Sequence, residues 1–142
     1  MATFLLEIIT PQRRAFSEQV DAVTVPSHMG TLGVLAHHEP LFCSLEEGEI
    51  KITSGTKEFF LAIGGGFMEV SEGKVSILVS RAVHADELNE AELKKAAEDA
   101  KKAIAQAGKG AELSSAQAML RRSILELKVS QRRSKHRSTL PN

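Results

Sequence analysis

Lys57-Glu58-Phe59-Phe60-Leu61-Ala62-Ile63-Gly64-Gly65-Gly66-Phe67-Met68-Glu69-Val70-Ser71-Glu72-Gly73-Lys74-Val75-Ser76-Ile77-Leu78-Val79 holds three short apolar runs, residues 58–63, 67–70 and 74–79. They are separated by Gly64-Gly65-Gly66 and by Glu72-Gly73. Runs of this length, apolar and bounded by glycine, read as strands joined by turns. The pattern extends upstream. Residues 3–9 are apolar and β-branched until Thr10-Pro11 stops them, and residues 19–25 alternate with Val23 and Val25 on one face. Pro26-Ser27-His28-Met29-Gly30 is turn chemistry; residues 31–35, 41–45 and 49–53 are further runs, punctuated by Glu47-Gly48 and Ser54-Gly55. A turn signal every 8–12 residues or so predicts an all-β sandwich or barrel, of about ten short strands here. Some 80 residues make a small core, burying roughly 60–65% of the unfolded surface. With six Phe, no Trp and no Tyr, the interior must be aliphatic.

Near residue 85 the chain changes character. Asn89-Glu90-Ala91-Glu92 has the form of a helix capping box, with Asp86 a rival cap. Leu93, Ala96, Ala97, Ala100, Ala103, Ile104 and Ala107 then follow helical spacing. Gly108-Lys109-Gly110 ends that helix. Ser114-x-x-Gln117 reads as a second capping box, and Ala116, Leu120, Ile124 and Leu127 as a second apolar face. The short connector predicts an antiparallel hairpin. Its alanine-rich seam buries little area, so a weakly docked hairpin is expected. The expected organisation is a sandwich over residues 1–84, a hairpin over 85–133 and a disordered basic tail over 134–142.

The whole chain has 142 residues, with 18 Lys+Arg balancing 18 Asp+Glu. That zero hides an asymmetry: residues 1–80 hold five basic side chains against ten acidic ones, and residues 81–142 hold thirteen against eight. Charges so divided speak of partners rather than fold. No apolar run approaches the roughly 18–20 residues that cross a bilayer. The single cysteine, Cys43, excludes an internal disulfide. Met1-Ala2-Thr3-Phe4 lacks a basic region ahead of an apolar stretch, so no secretory signal is expected.

Chemistry is sparse. His37 and His38 are adjacent, so on a strand they point to opposite faces, and no further ligands complete a tetrahedral set. Gly64-Gly65-Gly66 lacks the Lys-Ser/Thr of a phosphate loop and reads as a turn or bulge with close backbone packing. Cys43 lies in an apolar run and reads as a small hydrophobe. No catalytic residues, metal ligands or cofactor site are expected. Between residues 121 and 137 Glu126 is the only acid among a run of cations. That run reads as a solvated helix face or as a docking surface for acidic protein. Nucleic acid is disfavoured, because no aromatics interleave the cations and the β module is acidic.

Phe4-Leu5-Leu6-Glu7-Ile8-Ile9-Thr10-Pro11, Gly30-Thr31-Leu32-Gly33-Val34-Leu35-Ala36-His37-His38-Glu39-Pro40-Leu41, Gly48-Glu49-Ile50, Gly65-Gly66-Phe67-Met68-Glu69-Val70 and Val75-Ser76-Ile77-Leu78 occur in this order. Together with the helix pair they resemble the epsilon subunit of F-type ATP synthases over nearly the whole chain. The resemblance implies a non-catalytic subunit of the rotating central stalk, with no enzyme activity of its own. It implies that the subunit couples ion translocation to ATP synthesis and regulates ATP hydrolysis through its C-terminal helices. The implied partners are the gamma subunit, the ring of c subunits and the alpha/beta catalytic head, without nucleic acid. The implied place is the cytoplasmic side of a bacterial inner (plasma) membrane, peripheral and without membrane insertion. His38, Leu41 and Phe42 are expected near gamma, and Gly30, Thr31, Leu32 and Gly33 toward the ring. Arg121, Arg122, Arg132 and Arg133 are expected to meet an acidic segment of the beta subunit. Some relatives bind ATP through Ile/Leu-Asp-x-x-Arg-Ala. Leu88-Asn89-Glu90-Ala91-Glu92-Leu93 puts Asn for Asp and Glu for Arg, so no such ATP site is expected. Relatives often carry an acid at the position of Thr31, so ring contact there needs backbone or other side chains. The alternative is a free-standing β-sandwich adaptor whose basic helices bind acidic protein or nucleic acid.

Overall fold

The computed structural model describes residues 2–139, with side chains through Arg132. Two compact units emerge, Met1–His84 and Ala85–Asn142. The first contains β1 (Phe4–Ile9), β2 (Arg14–Val20), β3 (Ala22–Ser27), β4 (Gly30–Leu35), β5 (Leu41–Leu45), β6 (Gly48–Ser54), β7 (Lys57–Ile63), β8 (Gly66–Ser71), β9 (Lys74–Val79) and β10 (Ala82–His84). They pair in the order β10-β7-β6-β3-β5-β8-β9-β1-β2, with β4 on β3. All pairings are antiparallel except β1 with β9. The result is the expected β-sandwich.

Alternation explains which side chains fill it. Phe4, Leu6 and Ile8 of β1 are buried while Leu5, Glu7 and Ile9 are half-exposed; Val75, Ile77 and Val79 of β9 are their buried counterparts. Ile50, Ile52, Leu61, Ile63, Met68, Val23 and Val25 complete a mostly aliphatic core, with Phe4 and Phe16 its buried aromatics. Turns fall where positive φ is available: Gly55 (62°) between β6 and β7, and Gly73 (74°) between β8 and β9. At Gly66 the strands crowd. A Cβ there would fall on the Leu78 carbonyl oxygen and lie 2.7 Å from Val79 Cα, which fits the close-packing reading of the glycine run.

The structure corrects one strand. Residues 19–25, read as a single run, are the end of β2 and the start of β3, broken at Asp21. Its carboxylate accepts a 2.5 Å bond from Gly55 N–H, and its own N–H donates to Thr53 O at 2.9 Å. A short acceptor that serves a neighbouring turn therefore interrupts the apparent alternation.

Glu7, on the outer face of β1, ties three strands together. Lys74 Nζ on β9 lies 3.0 Å from its carboxylate and Arg14 Nε on β2 lies 3.6 Å away. The hydrogen bond from Lys74 holds the Glu7 carboxyl below its usual range, against opposing desolvation and with help from the two positive charges. A depressed carboxyl pKa stabilises the folded chain above the unfolded pKa and loses that contribution as pH falls through the folded value. Glu7→Gln is therefore expected to unfold at lower denaturant than wild type at pH 7. The gap should close as pH drops below about 4, the ordinary Glu range, as urea titrations at several pH values would show.

The second unit holds a 3-10 turn (Ala85–Glu87), α1 (Glu90–Gln106) and α2 (Ala111–Thr139). Asn89 caps α1, its side chain accepting from Glu92 N–H at 3.2 Å. Leu93, Ala97 and Ala100 form the buried stripe of α1. The start of α2 departs from the capping-box reading: Ser114 lies inside the helix, its N–H donating to Gly110 O at 3.0 Å. Gly110, at φ 81°, turns the chain into the helix four residues earlier than expected. The apolar face of α2 is also rotated. Ile124 is 53% exposed, whereas Ala116, Ser123 and Ser130 are buried. Val129 and Glu126 are buried as well, so position around the helix, not hydropathy, decides which side chains of α2 are covered. The helix continues past Arg133 to Thr139, with no glycine or proline in residues 131–139 to interrupt it. Of the tail expected over 134–142, residues 140–142 and all the side chains lie outside the described residues.

Candidate functional site

The candidate sites among the described residues are surfaces and a loop-lined cleft. Among the described residues no three His, Cys, Asp or Glu side chains could hold a metal ion. His37 and His38 sit in the β4–β5 loop. His37 adopts a left-handed φ of 64°, and His38 Nδ1 donates to Glu39 O at 2.8 Å. Both line a cleft of about 380 Å³ with Phe4, Val34, Val70 and Lys74. Cys43 is half-buried, and burial pushes its thiol pKa up, the reverse of what a nucleophile needs.

The Gly30–Gly33 segment is a hairpin arm. Ser27 pairs with Gly30 across a two-residue turn, His28-Met29, and Gly30 takes φ 114°. Ser27 Oγ donates to Gly30 O at 2.5 Å and accepts from Met29 N–H at 3.2 Å. Met29 at the tip is 95% exposed. Thr31 and Gly33 face solvent, while Leu32 packs against the core.

Of His38, Leu41 and Phe42, only Phe42 is an exposed apolar side chain; Leu41 turns inward onto the core and His38 is half-buried. Phe42 instead joins residues that sequence reasoning missed. Its ring stacks on Phe67 with centroids 5.6 Å apart and an interplanar angle of 20°. Leu78 stands directly opposite Phe67 on the next strand, and Ile9 opposite Leu78. Phe42, Phe67 and Leu78 are each more than half exposed. Their contiguity comes from register: β5, β8, β9 and β1 are neighbours, and burying Met68, Val70, Ile77 and Val79 forces these side chains outward. Alternation within residues 66–71 was the available signal.

On α2, Arg121 and Arg122 are exposed and Arg132 is half-buried; the side chain of Arg133 lies outside the described residues. Arg122 Nε is 3.2 Å from Glu126 Oε1, one turn on. In the stretch matching the nucleotide motif, Asn89 is occupied as helix cap and Glu90 pairs with Lys94 at 3.3 Å.

The domain family described as ATP synthase, Delta/Epsilon chain, beta-sandwich domain matches residues 3–85. Across 137 residues the chain is 38% identical to the ATP synthase epsilon chain of Dehalococcoides mccartyi strain BAV1, covering 96% of this chain and 98% of that one. The chain belongs to the ATP synthase epsilon-chain family. The epsilon chain of Syntrophobacter fumaroxidans is likewise 38% identical over 127 residues, 89% of this chain and 95% of the relative. Among solved structures, a chain of the Euglena gracilis mitochondrial ATP synthase OSCP/F1/c-ring assembly superposes with a TM-score of 0.68 at 26% identity, covering 92% of this chain and 79% of that one. A chain of the Tetrahymena thermophila mitochondrial ATP synthase central stalk/c-ring shares the fold, with a TM-score of 0.62 at 14% identity over 91% and 97% of the two chains. No helix among the described residues is long and apolar enough to cross a membrane.

Proposed function

We propose that this chain is the non-catalytic epsilon subunit of the central stalk of an F-type ATP synthase. Its sandwich grips the gamma subunit and faces the c-subunit ring, its hairpin regulates ATP hydrolysis at the alpha/beta head, and it sits peripherally at the cytoplasmic face of a bacterial membrane. The observation that carries the reading is the identity to curated epsilon chains, which spans both units and nearly the full length of those relatives. The Phe42–Phe67–Leu78 patch supports a gamma contact, since an exposed apolar surface rimmed by polar residues suits a partner face. The cations of α2 suit an acidic partner. The mechanism is mechanical: a folded sandwich stays on a turning axle while the helices act as a brake.

The test is the assembled complex. Replacing Arg121, Arg122, Arg132 and Arg133 with Ala is expected to raise ATP hydrolysis several-fold while leaving the subunit in the complex. Arg122 also pairs with the buried Glu126, so Arg122→Ala alone, followed by its melting curve, separates lost hairpin stability from lost inhibition. Unchanged hydrolysis would reject the inhibitory role, and failure of the wild-type chain to co-purify with gamma would reject the stalk assignment.

A further inference from the structure

Among the described residues three strands have a neighbour on one side only: β2, β10 and β4. A bare edge invites pairing with another chain, and natural sheets blunt their edges with charge or brevity. β2 carries Arg14 and Glu18, and β10 has three residues. β4, Gly-Thr-Leu-Gly-Val-Leu, has six residues and neither charge nor proline.

The register shows which groups are open. Ser27 and Gly30 close the two-residue hairpin and so form a hydrogen-bonded pair; the pairs then alternate. Val25 with Leu32 and Val23 with Val34 exchange ladder bonds, so Thr31, Gly33 and Leu35 direct their N–H and C=O groups away from β3. Pro26, opposite Thr31, fits this phase: it has no N–H to offer, and its carbonyl accepts from Glu46 N–H on the far side at 2.9 Å. Leu35 O accepts from His38 N–H at 3.3 Å. Thr31 and Gly33 thus present two donors and two acceptors along one line. Both residues are exposed, and β4 has β3 as its only paired neighbour among the described strands.

We infer that the free edge of β4 receives an extended strand from the rotor partner, which hydrogen-bonds through the backbone of Thr31 and Gly33. The inference rests on the stalk reading and adds to it the mode of contact: main-chain pairing, for which the uncharged Thr31 needs no ion pair. A second copy of this chain is the poorer occupant. Residues 1–84 hold ten acidic side chains against six basic ones, so edge-to-edge self-pairing would oppose like charges. A strand from a neutral or basic chain meets no such repulsion.

Amide hydrogen exchange of the full-length chain, free and bound to its gamma subunit with the c-subunit ring, tests this. Thr31 and Gly33 amides are expected to exchange freely in the free chain and to slow by about tenfold or more in the complex. Gly33→Pro removes an outward donor without touching the β3–β4 ladder and is expected to weaken rotor binding about tenfold. Gly33→Ala keeps the donor and is expected to bind more tightly than Gly33→Pro; equal loss in the two would overturn the role of the donor. Binding with both amides still exchanging freely would overturn the edge proposal alone. Absence of any rotor binding by wild type would overturn it together with the stalk reading. Protection that appears in the free chain and grows with its concentration would overturn it in favour of a second copy.

Discussion

Gly66→Ala is expected to lower the melting temperature of the N-terminal unit by about 15 °C. A new Cβ at Gly66 would fall on the carbonyl oxygen of Leu78 and within 2.7 Å of Val79 Cα. Overpacking in a core costs about 1–3 kcal/mol when side chains can give way. Here the obstacles are backbone atoms of β9, which stands directly paired with β8 and, on its other side, with β1. Relief requires the strand itself to move, so the upper end of that range applies. At about 4–8 °C per kcal/mol for a domain of this size, the stated shift follows. Gly33→Ala is the control: it meets nothing within 4 Å and is expected to be nearly neutral. Gly64→Ala is intermediate, because its nearest obstacle is the Ser80 hydroxyl, a side-chain group that can rotate. Differential scanning calorimetry of the three variants checks the order, and equal effects at positions 33 and 66 would contradict the packing account.

The same comparison shows what is legible in this sequence. Local signals read well: glycine-bounded apolar runs became strands, and Asn89 became a cap bonded to Glu92 N–H. Signals that depend on what lies opposite read poorly. Ile124 looks like a core residue beside Ala116 and Leu120, yet Ser123 is buried instead. Hydropathy ranks the residue, but the face that meets a neighbour decides burial: Glu126 is buried too. Ser114 and Gln117 satisfy a capping pattern, yet Gly110 had already turned the chain. Residues 19–25 read as one strand, because nothing local reveals that the Asp21 carboxylate serves Gly55, 34 residues away.

The surfaces obey the same rule. The family resemblance rests on contiguous motifs, and it pointed to the Gly30–Gly33 segment and to Phe42, next to the Gly30–Leu41 motif. Phe67 and Leu78 lie within the quoted motifs but were not expected there as contact residues; they join Phe42 only through the register of β5, β8 and β9. Leu41 shows the converse, since it is adjacent to Phe42 in sequence and opposite to it in the sheet. A patch assembled from three strands is a property of topology, and topology is what a linear reading supplies last.

Phe42→Ser with Phe67→Ser is expected to weaken association with gamma by about 100-fold or more while leaving the free chain folded. Buried aromatic anchors at an interface commonly cost about 2 kcal/mol or more each when truncated, and tenfold in affinity corresponds to about 1.4 kcal/mol. Two adjacent anchors that share one stacked contact do not add fully, so the pair is assigned somewhat less than the sum. In the free chain both rings are already more than half exposed, and the change forfeits mainly their mutual stacking, about 0.5–1.5 kcal/mol. Leu41→Ala separates surface from core. Its side chain packs inward, so it is expected to lower stability while leaving the affinity of the folded fraction near wild type. Titration calorimetry against gamma, with melting curves of each variant, distinguishes the two cases. A double variant that binds gamma as tightly as wild type would remove the patch from the interface. The acidic sandwich would then have to hold its axle through polar contacts and the β4 edge alone.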